Sequence, residues 1–282
     1  MTTNKIAFVL GGGGHLGAHE VGMLRALLER EIVPDIVVGT SIGAINGAAV
    51  STRPDLEMAE RLSEIWGRLA DSGAFGGSVL GRLSTLARSR THLHEGDELR
   101  RLLMDALPLN RIEDLPVTFE CVAACIETAS ERWFSSGSLI DAVMASSAVP
   151  GILPPVEIDG EHFLDGGIVN SIPVGRAVAT GARSIYVLHV GRTDRRLEPP
   201  RWPWEVALVA FEIARRHRFL GDLAALPDEV DVHVMPTGQD DPPRYSELSQ
   251  FRYWDRSNIR EQISRAYEAS ARYLDENPPS DR

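Results

Sequence analysis

Lysine is almost missing from this chain: Lys5 is the only one among 29 basic residues, so arginine carries nearly all the positive charge. That bias matches a GC-rich coding sequence and calls for no anion-binding explanation. Net positive charge is missing as well. With 40 acidic residues the formal charge is -11, which excludes a general nucleic-acid binder, because neutralising phosphates takes a basic surface. No apolar run approaches the roughly 20 residues that span a bilayer. The run Ile6 to Leu10 is too short for the core of a secretory signal. Only two cysteines occur, Cys121 and Cys125, both in VTFECVAACIE. On a strand, four positions separate their Cα atoms by about 13 Å, beyond the roughly 7 Å that a disulfide tolerates. They are expected to be free, buried thiols in a reducing compartment, and not a metal pair. The expected location is cytoplasmic.

What is present is an ordinary globular composition, 43% hydrophobic over 282 residues, enough to bury one large α/β core. A strand is predicted over Lys5 to Leu10, a helix from about Ala18 to Arg30, a strand over Asp35 to Val38, and helices after GTSIG and after Pro54. Strand and helix alternating at this spacing favour a largely parallel sheet covered by helices. Further on, Asp159-Gly160 is a two-residue hairpin turn between two strands, Ser138 and Asp141 have capping-box spacing, and SIYVLHV reads as a buried strand. Residues 71–95 change character, rich in Gly, Ser and Arg, with Val79, Leu80, Leu83 and Leu86 at helical spacing. They read as a surface insertion or a lid. No linker or repeat divides residues 1–282, which are expected to form a single domain. Its part 199–282 is helical and less distinctive.

Two glycine-rich turns carry the chemistry. In KIAFVLGGGGHLGAHEVGML a strand passes through four glycines into a helix, a geometry that suits a pyrophosphate or the oxyanion of acyl transfer. A dinucleotide site would want an acidic residue at the far end of the second strand. Asp35 stands at that strand's start, and the far end holds Gly39-Thr40-Ser41. GTSIG matches G-x-S-x-G between strand and helix, a nucleophile elbow in which Gly39 and Gly43 let the backbone turn sharply around Ser41. A serine hydroxyl needs a base. His189 lies in a predicted strand, His217 on a helix and His233 in an edge strand, none a loop position suited to a catalytic imidazole. Asp165 ends a strand, and Gly166-Gly167 after it permits a tight turn. Its ordinary pKa of roughly 3.9 makes it a weak base, which burial would correct. Trp202, Trp204, Phe211 and Phe219 are assigned to core packing, with an acyl tunnel or a membrane-facing patch as the other readings.

In this order, GGGGHLG, GTSIG, SSAVPGILPPVEIDG and LDGG make residues 5 to 190 similar to the patatin-like phospholipase family. The resemblance implies a three-layer α/β/α sandwich and a serine–aspartate lipid acyl hydrolase (a phospholipase or esterase) that needs no metal or organic cofactor. Carried onto this chain, Ser41 is the nucleophile that forms an acyl-serine intermediate, and Asp165 is the base. Gly11, Gly12, Gly13 and Gly14 offer backbone N–H groups to the oxyanion. The implied partner is an acyl-ester lipid, with transient, peripheral contact at a membrane surface. Head group, chain length and oligomeric state do not follow. One position departs: the family's loop carries Arg or Lys where this chain has Leu16, with His15 before it. Two alternatives therefore stand beside hydrolysis. One is acyl transfer to an alcohol; the other, motivated by Leu16, is a lipid-binding or regulatory protein with an impaired site.

Overall fold

Strand and helix alternate as the apolar spacing predicts. The structure is a computed structural model that describes residues 4–72, 94–190, 196–239 and 256–278. Its elements, in chain order, are β1 (Lys5–Leu10), α1 (Ala18–Leu28), β2 (Ile36–Thr40), α2 (Ile42–Thr52), α3 (Leu56–Ser72) and α4 (Asp97–Ala106). Next come β3 (Thr118–Cys125), β4 (Ser130–Phe134), α5 (Leu139–Ser146), β5 (Val156–Ile158), β6 (Glu161–Asp165) and α6 (Val174–Ala179). The chain continues through β7 (Ala182–Leu188), α7 (Pro203–Ala224), β8 (Asp231–Val234) and α8 (Arg256–Glu276). The amphipathic positions Val79 to Leu86, and most of the insertion expected at 71–95, lie outside the described residues.

One eight-stranded sheet runs β5-β6-β3-β2-β1-β7-β8, with β4 paired to β3 beside that path. The centre, β3-β2-β1-β7-β8, is parallel, and β4, β5 and β6 are antiparallel additions at one side. Central parallel strands are covered on both faces, so they read as continuous apolar runs; β1 and β2 are buried at every position but Lys5. Alternation along β1 sorts its side chains into two layers. Ile6, Phe8 and Leu10 join the core with residues of α1, α3 and α8. Ala7 and Val9 join Ile36, Val38, Ile185 and Val187 under α6 and Phe219 of α7. Three layers result, the α/β/α sandwich.

Local signals account for several joints. Asp159 and Gly160 take φ of 53° and 81°, the positive pair that a two-residue hairpin turn requires. The Ser138 side chain accepts from the Asp141 N–H at 3.3 Å and caps α5. Cys121 and Cys125 are free and buried. Pro173 stands at the N-cap of α6. The C-terminal part is built into the core: a Cβ on Gly22 would lie 2.2 Å from the Ile263 carbonyl oxygen, so glycine lets α1 and α8 touch backbone to backbone.

Candidate active site

Two strands run head-on into the middle of β3. β2 arrives parallel and ends with Thr40 opposite Val122; β6 arrives antiparallel and ends with Asp165 opposite Ala123, the next residue along. Whatever follows β2 must therefore meet the end of β6. The chain after Asp165 crosses so close to β3 that a Cβ on Gly166 would sit 2.1 Å from the Val122 oxygen. In this gap the Ser41 hydroxyl donates to Asp165 Oδ2 at 2.5 Å, with both residues buried.

Ser41 has φ 56° and ψ -123°, a conformation that costs a non-glycine residue about 1–3 kcal/mol. Its neighbours hold it there. A Cβ on Gly39 would lie 2.6 Å from the Gly43 oxygen, and one on Gly43 would lie 2.3 Å from the Leu10 oxygen. From α5, Ser146 Oγ accepts the Ser41 N–H at 2.9 Å, and the Ser147 hydroxyl that follows donates to the Ser41 carbonyl at 3.2 Å. Neither role was assigned from sequence; only the motif SSAVPG pointed at this segment. At the N-terminus of α2, the helix dipole favours negative charge beside Ser41.

Burial pushes the Asp165 carboxyl up to about 6, against the lowering effect of the Ser41 hydroxyl and of the Gly167 N–H, which donates to Oδ1 at 2.7 Å. The carboxylate thus becomes a stronger base while remaining ionised at neutral pH.

The glycine loop lies against the same serine: a Cβ on Gly12 would be 3.6 Å from Ser41 Cβ. Its four glycines are not equivalent. The Gly11 N–H donates to the Leu188 carbonyl at 3.0 Å and the Gly12 N–H to the Ser171 carbonyl at 2.9 Å. Of the four glycines expected to serve an oxyanion, Gly11 and Gly12 thus have their N–H groups engaged by the fold. Among the described residues nothing accepts from Gly13 or Gly14. Gly14 takes φ 57°, and Gly13 has no room for a side chain, its Cβ falling 2.0 Å from Val190 Cγ2. Behind the loop, Asn46 Nδ2 donates to the Gly17 carbonyl at 3.1 Å and to Glu20 Oε2 at 2.7 Å, while the Trp66 indole donates to Asn46 Oδ1. Burial holds the Glu20 carboxyl well above its ordinary range. Leu16 is half-buried, and the side chain of His15 lies outside the described residues.

The remaining candidates are dispersed. His233 bonds Asp231 and Tyr273 and stacks on Tyr186. His217 is exposed on α7. His189 is buried near Gly11, and burial together with Arg215 and Arg216 holds it far below its ordinary pKa. Phe219 is core, Trp202 is exposed, and Phe211 Cζ comes 3.4 Å from a Cβ built on Gly167. The Trp204 side chain lies outside the described residues. Among the described residues no cluster of His, Cys, Asp and Glu could hold a metal ion.

A family model for patatin-like phospholipase matches residues 8–178. "Patatin-like phospholipase domain-containing protein ZK370.4" of Caenorhabditis elegans is 36% identical over 198 residues, 69% of this chain and 14% of that protein. "Lysophospholipase NTE1" of Kluyveromyces lactis is 32% identical over 196 residues, 70% of this chain and 13% of that protein. The match thus spans about a seventh of the length of these curated relatives. The solved structure of VipD from Legionella pneumophila aligns with 97% of this chain and 67% of that one, at 15% identity and a TM-score of 0.47.

Proposed function

This chain belongs to the patatin-like phospholipase family, and from that footing we propose that it is a lipid acyl hydrolase in which Ser41 takes the acyl group and Asp165 takes and returns the proton. The observation that carries the proposal is the 2.5 Å hydrogen bond from the Ser41 hydroxyl to Asp165, made at a strained turn. As Ser41 Oγ bonds to the ester carbonyl carbon, Asp165 Oδ2 receives the hydroxyl proton. The carbonyl oxygen becomes an oxyanion, met by the N–H groups of Gly13 and Gly14. The C–O bond to the leaving alcohol then breaks, and protonated Asp165 returns its proton to that oxygen. Water attacks the acyl-serine by the same steps in reverse order, with Asp165 again the base. A serine–aspartate pair suffices because burial has moved the carboxyl close to neutral pH.

The substrate class is an acyl ester of a phospholipid or lysophospholipid. One relative is named a lysophospholipase, which makes lysophosphatidylcholine the first natural substrate to try. Residues 1–282 are read as one acyl-hydrolase domain, with 71–95 as lid or insertion; the burial of α8 against α1 supports that reading. No helix among the described residues is long and apolar enough to cross a membrane. Peripheral contact is supported by Trp202, Val206, Ile213 and Leu220, each more than half exposed, the last three seven residues apart on α7.

The test is hydrolysis of p-nitrophenyl esters from acetyl to palmitoyl, and of lysophosphatidylcholine, by wild type, Ser41→Ala and Asp165→Asn, with folding checked by circular dichroism. Turnover by wild type and silence from both folded variants is the expected result. Activity surviving in either variant removes that residue from its role. A wild type that neither hydrolyses these esters nor reacts with a serine-directed phosphonate turns the proposal toward an impaired, lipid-binding protein.

A further inference from the structure

From α7 one long side chain reaches the glycine loop. Arg215 Nη1 donates to the Gly12 carbonyl oxygen at 3.2 Å across 203 positions of sequence. The Arg215 side chain is only 9% exposed, and its guanidinium is clamped by Glu212, with Nε 2.9 Å from Oε2 and Nη2 3.1 Å from Oε1. Arg216 shares the same carboxylate at 2.7 Å. Both guanidiniums thus meet the Glu212 carboxylate, and the Gly12 carbonyl receives its hydrogen bond from a cationic donor. The nearby His189 is held neutral and adds no charge. Resting on the reading of Ser41 as acyl acceptor, we propose that Arg215 is a positioning residue of this site, setting the Gly12–Gly13 peptide so that the Gly13 N–H faces the oxyanion.

The physical basis is the planar trans peptide, in which the carbonyl oxygen and the following N–H point opposite ways. A donor fixed on the Gly12 oxygen therefore aims the Gly13 N–H. A positive donor also polarises that peptide, making its N–H a stronger donor. Gly12 is held at both ends, its own N–H on the Ser171 carbonyl and its oxygen on Arg215. The loop's own basic position is occupied by Leu16, so the charge comes from a different element.

The test measures kcat, KM and melting temperature on p-nitrophenyl butyrate for wild type, Arg215→Met, Arg215→Lys and, as a control on the same helix, Arg218→Gln. Loss of a full oxyanion donor costs about 100- to 1000-fold; loss of its alignment is expected to lower kcat of Arg215→Met by about 30-fold, with KM within about twofold. Arg215→Lys keeps a cation and recovers most of that loss at pH 7. Its kcat then falls at alkaline pH, where an ammonium deprotonates and the wild-type guanidinium does not. Arg218→Gln behaves as wild type. A wild-type kcat in Arg215→Met, or a raised KM and a lowered melting temperature together with the lower kcat, overturns the proposal. If Arg215→Met does not fold, Arg215→Lys decides: a pH profile identical to wild type overturns it. Failure of the underlying reading looks different. A wild type inert to ester and phosphonate sinks both, whereas a phosphonate-labelled wild type with indifferent Arg215 variants sinks this one alone.

Discussion

The two glycine turns that meet at Ser41 are held in opposite ways. Around the serine, glycines press on backbone: Gly39 on Gly43 and Ala44, and Gly43 on Leu10. In the glycine loop they press mostly on side chains, Gly11 on His189, Gly12 on the Ser171 hydroxyl and Gly13 on Val190. Backbone contacts cannot yield without moving strands, whereas side chains can rotate. The hydrogen bonds differ too. The serine turn hangs on two side-chain hydroxyls, Ser146 and Ser147, while the N–H groups of Gly11 and Gly12 hang on the main-chain carbonyls of Leu188 and Ser171, with Arg215 as the side-chain anchor on the Gly12 carbonyl. The turn that bears the strained residue is thus rigid in its frame and vulnerable through its side chains. The loop is crowded by side chains that can move, and Arg215 is its one proposed point of side-chain vulnerability.

Asp165→Asn makes the deepest cut. Turnover is expected to fall by about 10⁴-fold, and wild-type turnover should rise with pH through a midpoint at about 6, as the base form appears. Stability moves the other way. Folding raises the Asp165 pKa from 3.8 to about 6, so the stabilising form is the protonated one. Its contribution is complete below the unfolded value and is lost as pH rises to the folded one. Asp165→Asn should therefore match wild type in chemical denaturation at pH 3.5 and exceed it by about 2–3 kcal/mol at pH 8. Equal stability at both pH values would mean that Asp165 is not desolvated.

The frames are compared next by a single methyl. Gly43→Ala drives a Cβ into the Leu10 carbonyl and should cost about 4 kcal/mol or prevent folding. Gly12→Ala meets only the Ser171 hydroxyl at 3.2 Å and should fold at a cost of about 1 kcal/mol. Thermal denaturation of the pair decides; equal losses would erase the distinction between backbone and side-chain crowding.

The fold was legible because its signals are local. Apolar runs bounded by glycines mark β1 and β2, and the hairpin turn and the α5 cap each lie within four residues. Ser41 and Asp165 were legible as glycine-flanked turns after strands. What holds them was not. Ser146 reaches Ser41 across 105 positions and Arg215 reaches Gly12 across 203, and no spacing rule links such residues. The four glycines likewise look alike as letters. Only the positions of Leu188 and Ser171 divide them into two engaged donors and two that no described residue accepts from.

Truncating one hydroxyl at each turn compares them through their serines. Ser146→Ala leaves the buried Ser41 N–H without its acceptor, which costs about 1–3 kcal/mol, and it loosens a strained turn. A loss of about tenfold in kcat should accompany the lower melting temperature. Ser171→Ala removes a hydroxyl but keeps the carbonyl that accepts from Gly12, so its kcat should stay within about twofold of wild type. Equal effects would show that the loop relies on the Ser171 hydroxyl as well as on Arg215.

A small effect is also expected from Leu16→Arg, and its smallness is informative. If the loop lacked a cation, a new guanidinium beside it would supply a charge that the oxyanion needs, and kcat would climb about tenfold or more. With Arg215 already on the Gly12 carbonyl, a second cation finds that peptide oriented and already met by a cationic donor. The gain should then stay below about threefold at unchanged KM. Measured beside Arg215→Met, the substitution separates a loop deprived of charge from one that receives it from α7.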